Sequence, residues 1–238
     1  MNLNMNVHQA PILLRFRYFI IALLLFSCND TGSKKVDEVI QDTTETNVTD
    51  KEPTGTKTVL FFGDSLTAGY GLEDSNDAYP AIVQTKIDDA GLDYIVVNSG
   101  VSGETSSGGR SRVDWVLNQK VDVFVLELGA NDGLRGISLK ETRTNLQGII
   151  DAVRHKYPDT VIILAGMQLP PNLGQDYTSE FRSRFKELAD TNSIQLIPFL
   201  LKDVGGIPEL NLDDGIHPNA EGQKIVANNV WDVLKKAL

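Results

Sequence analysis

The chain reads as an α/β protein, a three-layer α/β/α domain built on a five-stranded parallel sheet. Three observations predict this. Five short apolar runs recur between Thr58 and Pro198, and their Val, Ile, Leu and Phe content suits strands buried on both faces. Amphipathic stretches lie between them, and strand alternating with helix implies parallel strands joined by right-handed crossovers. The chemically distinctive residues directly follow these runs or sit just before the last helix, where ligands bind in such sheets.

The elements follow in chain order. The first strand is Thr58–Phe62, followed by a helix at Tyr79–Asp89. A second strand at Tyr94–Asn98 precedes a helix at Ser111–Asn118. Val121–Leu128 is the third strand and Leu139–Lys156 the helix after it. Val161–Ala165 is the fourth strand and Tyr177–Thr191 its helix. Ile194–Pro198 is a weaker fifth strand, and Ala220–Leu238 closes the domain. No internal repeat is present.

The 238 residues suggest one domain with extra sequence. A net charge of -10 argues against nucleic acid, whose phosphates would be repelled. The extra sequence is at the start. Arg15 and Arg17 precede the apolar run Tyr18–Phe26, followed by Ser27 and Cys28, as in an export signal too short to span a bilayer comfortably. Leu25-Phe26-Ser27-Cys28 resembles a bacterial lipobox, in which the cysteine is acylated, although Phe26 is larger than usual there. Cys28 is the single cysteine, and lipidation needs one thiol and no disulfide partner. The alternative is a plain secretory signal followed by an incidental cysteine. Residues 29–57 are polar and contain no aromatics, so they cannot bury enough apolar surface to offset ordering. The expected organisation is a lipoprotein-type signal at 1–28, a flexible tether at 29–57 and a folded domain at 58–238. The resulting protein would be exported to a bacterial cell envelope and held on a membrane through a lipid on Cys28.

Two segments carry chemistry. Gly63-Asp64-Ser65-Leu66 places a serine in a glycine turn after an apolar run, and Asp213-Asp214-Gly215-Ile216-His217-Pro218 places a histidine three residues after an aspartate. A hydroxyl nucleophile needs a base within hydrogen-bond reach, and the base needs a group to orient it. Little competes with His217. Of three histidines, His8 lies in the signal and His155 ends a helix, where a cation complements the dipole. Ser65 is also suited to a helix N-terminus. Asp64, Asp132 and Asp213 read as structural, because no EF-hand or HExxH spacing accompanies them.

Thr67 replaces the second glycine of a G-x-S-x-G elbow. The stretch Gly63–Gly71 instead resembles the first block of the GDSL, or SGNH, hydrolase family. Val101-Ser102-Gly103-Glu104-Thr105, Gly129-Ala130-Asn131-Asp132 and Asp214-Gly215-Ile216-His217-Pro218 resemble the remaining blocks in order. Glu127–Gly136 points to the thioesterase I, lysophospholipase L1 and arylesterase branch. The resemblance implies a flavodoxin-like fold and an enzyme that works without metal or cofactor. It implies Ser65 as nucleophile, His217 as base and Asp214 as its partner. Ser65 N–H, Gly103 N–H and the Asn131 amide would form the oxyanion hole. The loop Gln168–Tyr177 would border the acyl pocket, and Phe199–Leu201 and Val204–Pro208 could extend it. The expected substrate is a small acyl ester or lysolipid. A carbohydrate O-deacetylase is the alternative enzyme, and a non-catalytic binding module the rival from another class.

Overall fold

The computed structural model describes residues 55–238. The expected signal with Cys28, and the tether as far as Thr54, lie outside the described residues. The strands are β1 (Lys57–Gly63), β2 (Tyr94–Gly100), β3 (Val123–Glu127), β4 (Val161–Ala165) and β5 (Gln195–Ile197). The helices are α1 (Ser65–Ala68), α2 (Tyr79–Asp89), α3 (Ser106–Val116), α4 (Ala130–Leu134), α5 (Leu139–Lys156), α6 (Gln175–Asn192) and α7 (Ala220–Leu234).

All pairings are parallel, in the order β2-β1-β3-β4-β5, the flavodoxin-like order. β1 is interior to the sheet and pairs on both sides, with Phe62 opposite Ser99 of β2 and Leu126 of β3. Val59 to Phe62 are accordingly all buried, as a continuous apolar run requires. β2 is an edge strand and half-buried, which leaves Ile95 exposed. Helices α2 and α7 pack together on one face, while α3, α5 and α6 form the layer on the other. The strand order reverses at β1. The crevice beyond the carboxyl ends of β1 and β3 is therefore the switch point where such sheets bind ligands.

The observed helices at Tyr79–Asp89 and Leu139–Lys156 have the bounds expected from sequence. Elsewhere the structure differs in ways that have physical causes. α3 begins at Ser106, five residues before the expected Ser111, with the Thr105 side chain accepting the Gly108 N–H at 3.3 Å. Ser106-Ser107-Gly108-Gly109 has loop composition, but a side chain at Gly109 would collide with Leu128 of the sheet layer. Its low helix propensity is offset by close packing. β3 is shorter than Val121–Leu128, since those end residues are buried without joining the ladder. α7 ends at Leu234 rather than Leu238. The short helix α1 agrees with the suitability of Ser65 for a helix N-terminus, and α4 occupies the loop after the third strand.

Candidate active site

Strand β1 runs into the site and stops at Gly63. Asp64 caps α1, its Oδ1 accepting the Leu66 N–H at 3.0 Å, so Ser65 becomes the first helical residue. The helix is a single turn fixed from below. Asn98 Nδ2 donates to the Thr67 carbonyl at 2.8 Å, and a Cβ on Gly100 would collide with the Ala68 backbone. Ser65 is thereby held at the rim with little freedom and is only 8% exposed.

The two distant segments meet there. His217 Nε2 lies 2.8 Å from Ser65 Oγ, and His217 Nδ1 lies 2.7 Å from Asp214 Oδ2. Asp214 is itself aimed by its own loop, since Oδ1 accepts the N–H groups of Ile216 and His217, both at 3.0 Å. Desolvation raises the Asp214 pKa, but these N–H donors, the His217 ring and its charge outweigh that effect. The carboxyl therefore sits below the usual carboxylate range. Tyr70 adds a contact that sequence reasoning missed, its ring centroid 4.7 Å from that of His217.

The remaining expected residues also converge. Gly103 has φ +78, a conformation that favours glycine, and sits in the loop after β2. That loop is clamped by Arg112 of α3, which pairs with both Glu104 oxygens and donates to the Ser99 carbonyl at 2.8 Å. Arg135 Nη2 holds the Gly103 carbonyl at 2.9 Å. Asn131 lies in α4, and its Nδ2 donates one hydrogen bond to Asp64 Oδ2 at 3.0 Å. Asp132 is buried and structural, accepting from the Ser106 N–H at 2.8 Å, the Ser106 hydroxyl and the Thr142 hydroxyl at 3.1 Å. It thus ties α4 to α3 and α5. Among the described residues, neither the Ser65 nor the Gly103 N–H donates to a protein acceptor.

Sequence reasoning gave Glu127 no role, yet it lies against the nucleophile turn. Its Oε2 accepts the Asp64 N–H at 3.1 Å and the Thr67 hydroxyl at 2.8 Å. Burial and the neighbouring Asp64 charge push its carboxyl well above the usual range. Burial also raises the Asp64 carboxyl, from 3.8 to about 6. The signal was present in the sequence. An acidic residue that ends a continuous apolar strand run must be paired or protonated.

A cleft of about 640 Å³ opens beside Ser65 and His217. Met167, Leu169, Pro170 and Pro171 form one wall, and Phe199 and Leu201 contribute apolar surface. Gln168–Pro171, the start of the loop after β4, therefore borders it together with Phe199 and Leu201. Ile207 is exposed, whereas Gly205 and Gly206 line the cleft.

A hydrogen-bonded Ser–His–Asp set at the carboxyl edge of a parallel sheet, opening on an apolar cleft, defines a serine hydrolase of the three-layer α/β/α class. The chain belongs to the GDSL-like lipase/acylhydrolase family, which matches residues 61–225. It is 38% identical over 183 residues to the esterase TesA of Pseudomonas aeruginosa, covering 76% of this chain and 90% of that protein. A crystal structure of TesA superposes with a TM-score of 0.73 over 76% of this chain and all of that one. Thioesterase 1/protease 1/lysophospholipase L1 of Escherichia coli K12 is 37% identical over 172 residues, covering 72% of this chain and 80% of that protein.

Proposed function

We propose that this chain is a serine esterase that hydrolyses acyl esters through a covalent acyl-enzyme on Ser65. The observation that carries this reading is the continuous path from Ser65 Oγ through His217 to Asp214, with bonds of 2.8 and 2.7 Å at the mouth of an apolar cleft. Family membership supports the same chemistry.

The ester carbonyl docks beside Ser65 with its acyl chain along Leu169, Phe199 and Leu201. His217 Nε2 takes the Ser65 proton as Oγ attacks the carbonyl carbon. Asp214 holds the Nδ1–H tautomer and balances the imidazolium charge. The Ser65 N–H, the Gly103 N–H and the free hydrogen of Asn131 Nδ2 receive the oxyanion. The tetrahedral intermediate collapses, the C–O bond to the leaving alcohol breaks, and His217 returns the proton to that oxygen. Water, deprotonated by His217, then attacks the acyl-enzyme and releases the acid and free Ser65.

The apolar cleft favours acyl esters and lysolipids over acetylated sugars, whose hydroxyls would find few partners there. The relatives named esterase and lysophospholipase support this substrate class. The sequence of residues 1–57 supports an exported domain tethered to a membrane by a lipid on Cys28, with the catalytic domain beginning at Thr58. Radiolabelled palmitate incorporation that is lost in Cys28→Ala checks the anchor; equal labelling of the variant contradicts it.

The catalytic reading is tested by hydrolysis of p-nitrophenyl esters from C2 to C16, with Ser65→Ala in parallel. Activity that depends on Ser65 and is greatest on medium or long chains is expected. Undiminished turnover by the variant removes Ser65 as nucleophile. Acetyl ester preference alone points to a deacetylase.

A further inference from the structure

Tyr70 lines the cleft and is 51% exposed, and no step above uses it. Its position is nevertheless closely fixed. The N–H groups of Tyr70 and Gly69 both donate to the Ser65 carbonyl, at 3.0 and 3.1 Å, so its backbone is tied to the nucleophile itself. Gly69 and Gly71 on either side have φ +76 and +77, the left-handed region that favours glycine. A Cβ on Gly71 would collide with Leu212, whose N–H donates to the His217 carbonyl at 2.8 Å. The turn that carries Tyr70 is thus packed against the loop that carries the base. The Tyr70 ring lies over the imidazole, with 4.7 Å between centroids and 44° between planes.

The groups around the reacting carbon have separate destinations. The carbonyl oxygen goes to the Ser65, Gly103 and Asn131 donors, and the acyl chain to the wall of Leu169, Phe199 and Leu201. The leaving oxygen has to face His217 Nε2, because that atom returns the proton to it. The alcohol therefore leaves on the His217 side of the cleft. The surface offered there is the Tyr70 ring, with Ile216 next to the base in sequence and also exposed in the cleft. That surface is apolar and open to solvent, so it rewards contact without limiting the size of the alcohol. A second aromatic ring gains an offset or edge contact with Tyr70 that a short alkyl group lacks.

We propose that Tyr70 is a specificity-determining residue for the leaving alcohol, favouring alcohols that carry an aromatic ring close to the ester oxygen. The acyl wall selects the acid, and Tyr70 selects the alcohol. The inference rests on the esterase reading above.

Benzyl and ethyl esters of one and the same acid test it. Both alcohols are primary, and both esters give the same acyl-enzyme, so the ratio of their kcat/KM values isolates recognition of the alcohol. The wild type is expected to favour the benzyl ester. Tyr70→Ala is expected to lower the benzyl-to-ethyl ratio about threefold to tenfold, the range of an aromatic pair. Tyr70→Phe keeps the ring and is expected to keep the ratio. Circular dichroism establishes that each variant is folded. An unchanged ratio in folded Tyr70→Ala overturns the proposal, because a residue that only supports the His217 ring affects both esters alike. A ratio lost equally in Tyr70→Phe also overturns it, since the hydroxyl and not the ring would then be recognised. A wild type inactive on every ester defeats the esterase reading, whereas ester hydrolysis with an unmoved ratio defeats the role of Tyr70 alone.

Discussion

Asp214 and Asp64 flank the same serine, the first with three hydrogen bonds to its carboxylate and the second with two. Asp214 takes two backbone N–H groups and the His217 ring; Asp64 takes one N–H and the Asn131 amide. Their carboxyls nevertheless move in opposite directions, Asp214 below its ordinary value and Asp64 up to about 6. The difference is water. The Asp214 side chain is 38% exposed, whereas Asp64 is 1% exposed and shares its site with a second acid. For Asp64 burial outweighs its two donors, whereas for Asp214 the three donors and the His217 charge outweigh burial. The exposed aspartate supplies a permanent charge for the imidazolium, while the buried one caps α1 and holds the Asn131 amide.

That contrast can be broken by substitution. Asp214→Asn is expected to lower kcat about 10⁴-fold, because His217 loses both its tautomer and its counter-charge. Steady-state ester hydrolysis reads this directly, and a loss below tenfold would make Asp214 as dispensable as a surface acid. Asn131→Ala removes an oxyanion donor and is expected to cost about 10²–10³-fold in kcat. Asp64→Asn leaves the triad intact and disturbs only the anchor, so a drop on the order of tenfold to a hundredfold is expected. If Asp64→Asn proves more damaging than Asp214→Asn, the division between charge supplier and scaffold is wrong.

A smaller effect sharpens the comparison through stability. The Glu127 carboxyl is raised in the fold, so it binds its proton more tightly there than in the unfolded chain. Its stabilisation is complete below the ordinary value of 4.5 and is lost as pH rises towards the folded value. Asp64 behaves the same way between 3.8 and about 6. Asp214 has the opposite sign, contributing above 3.8 and losing that contribution as pH falls through its lower folded value. Urea unfolding at a series of pH values is therefore expected to show Glu127→Gln gaining on the wild type as pH rises from 4.5, by at most about 1.4 kcal/mol per unit. Parallel pH dependence of the two proteins would mean that Glu127 is ionised in the fold.

Much of this was legible in the sequence, for identifiable reasons. Central strands such as β1 are continuous apolar runs because both faces are covered, and α2 and α5 carry uninterrupted amphipathic patterns. Ser65, Asp214 and His217 are polar residues in glycine-punctuated turns, and their spacing marks them. The start of α3 is hidden because Gly109 satisfies a packing demand of Leu128 and Phe62 that lies far away in sequence. The single turns α1 and α4 are too short for any periodicity. Glu127 carries no recognisable role in the sequence, since its partners Asp64 and Thr67 come from the cap and helix after β1, sixty or more residues earlier. Tyr70 was missed similarly, because its contact with His217 exists only once the two segments meet.

The assignment of the nucleophile is tested most directly by stoichiometric labelling with an aryl phosphonate, followed by mass spectrometry of the digested protein. One phosphonyl group per chain on Ser65, with labelling slowed in His217→Ala, is the expected result. Loss of activity accompanied by a label on any other residue, with Ser65 unmodified, would contradict it.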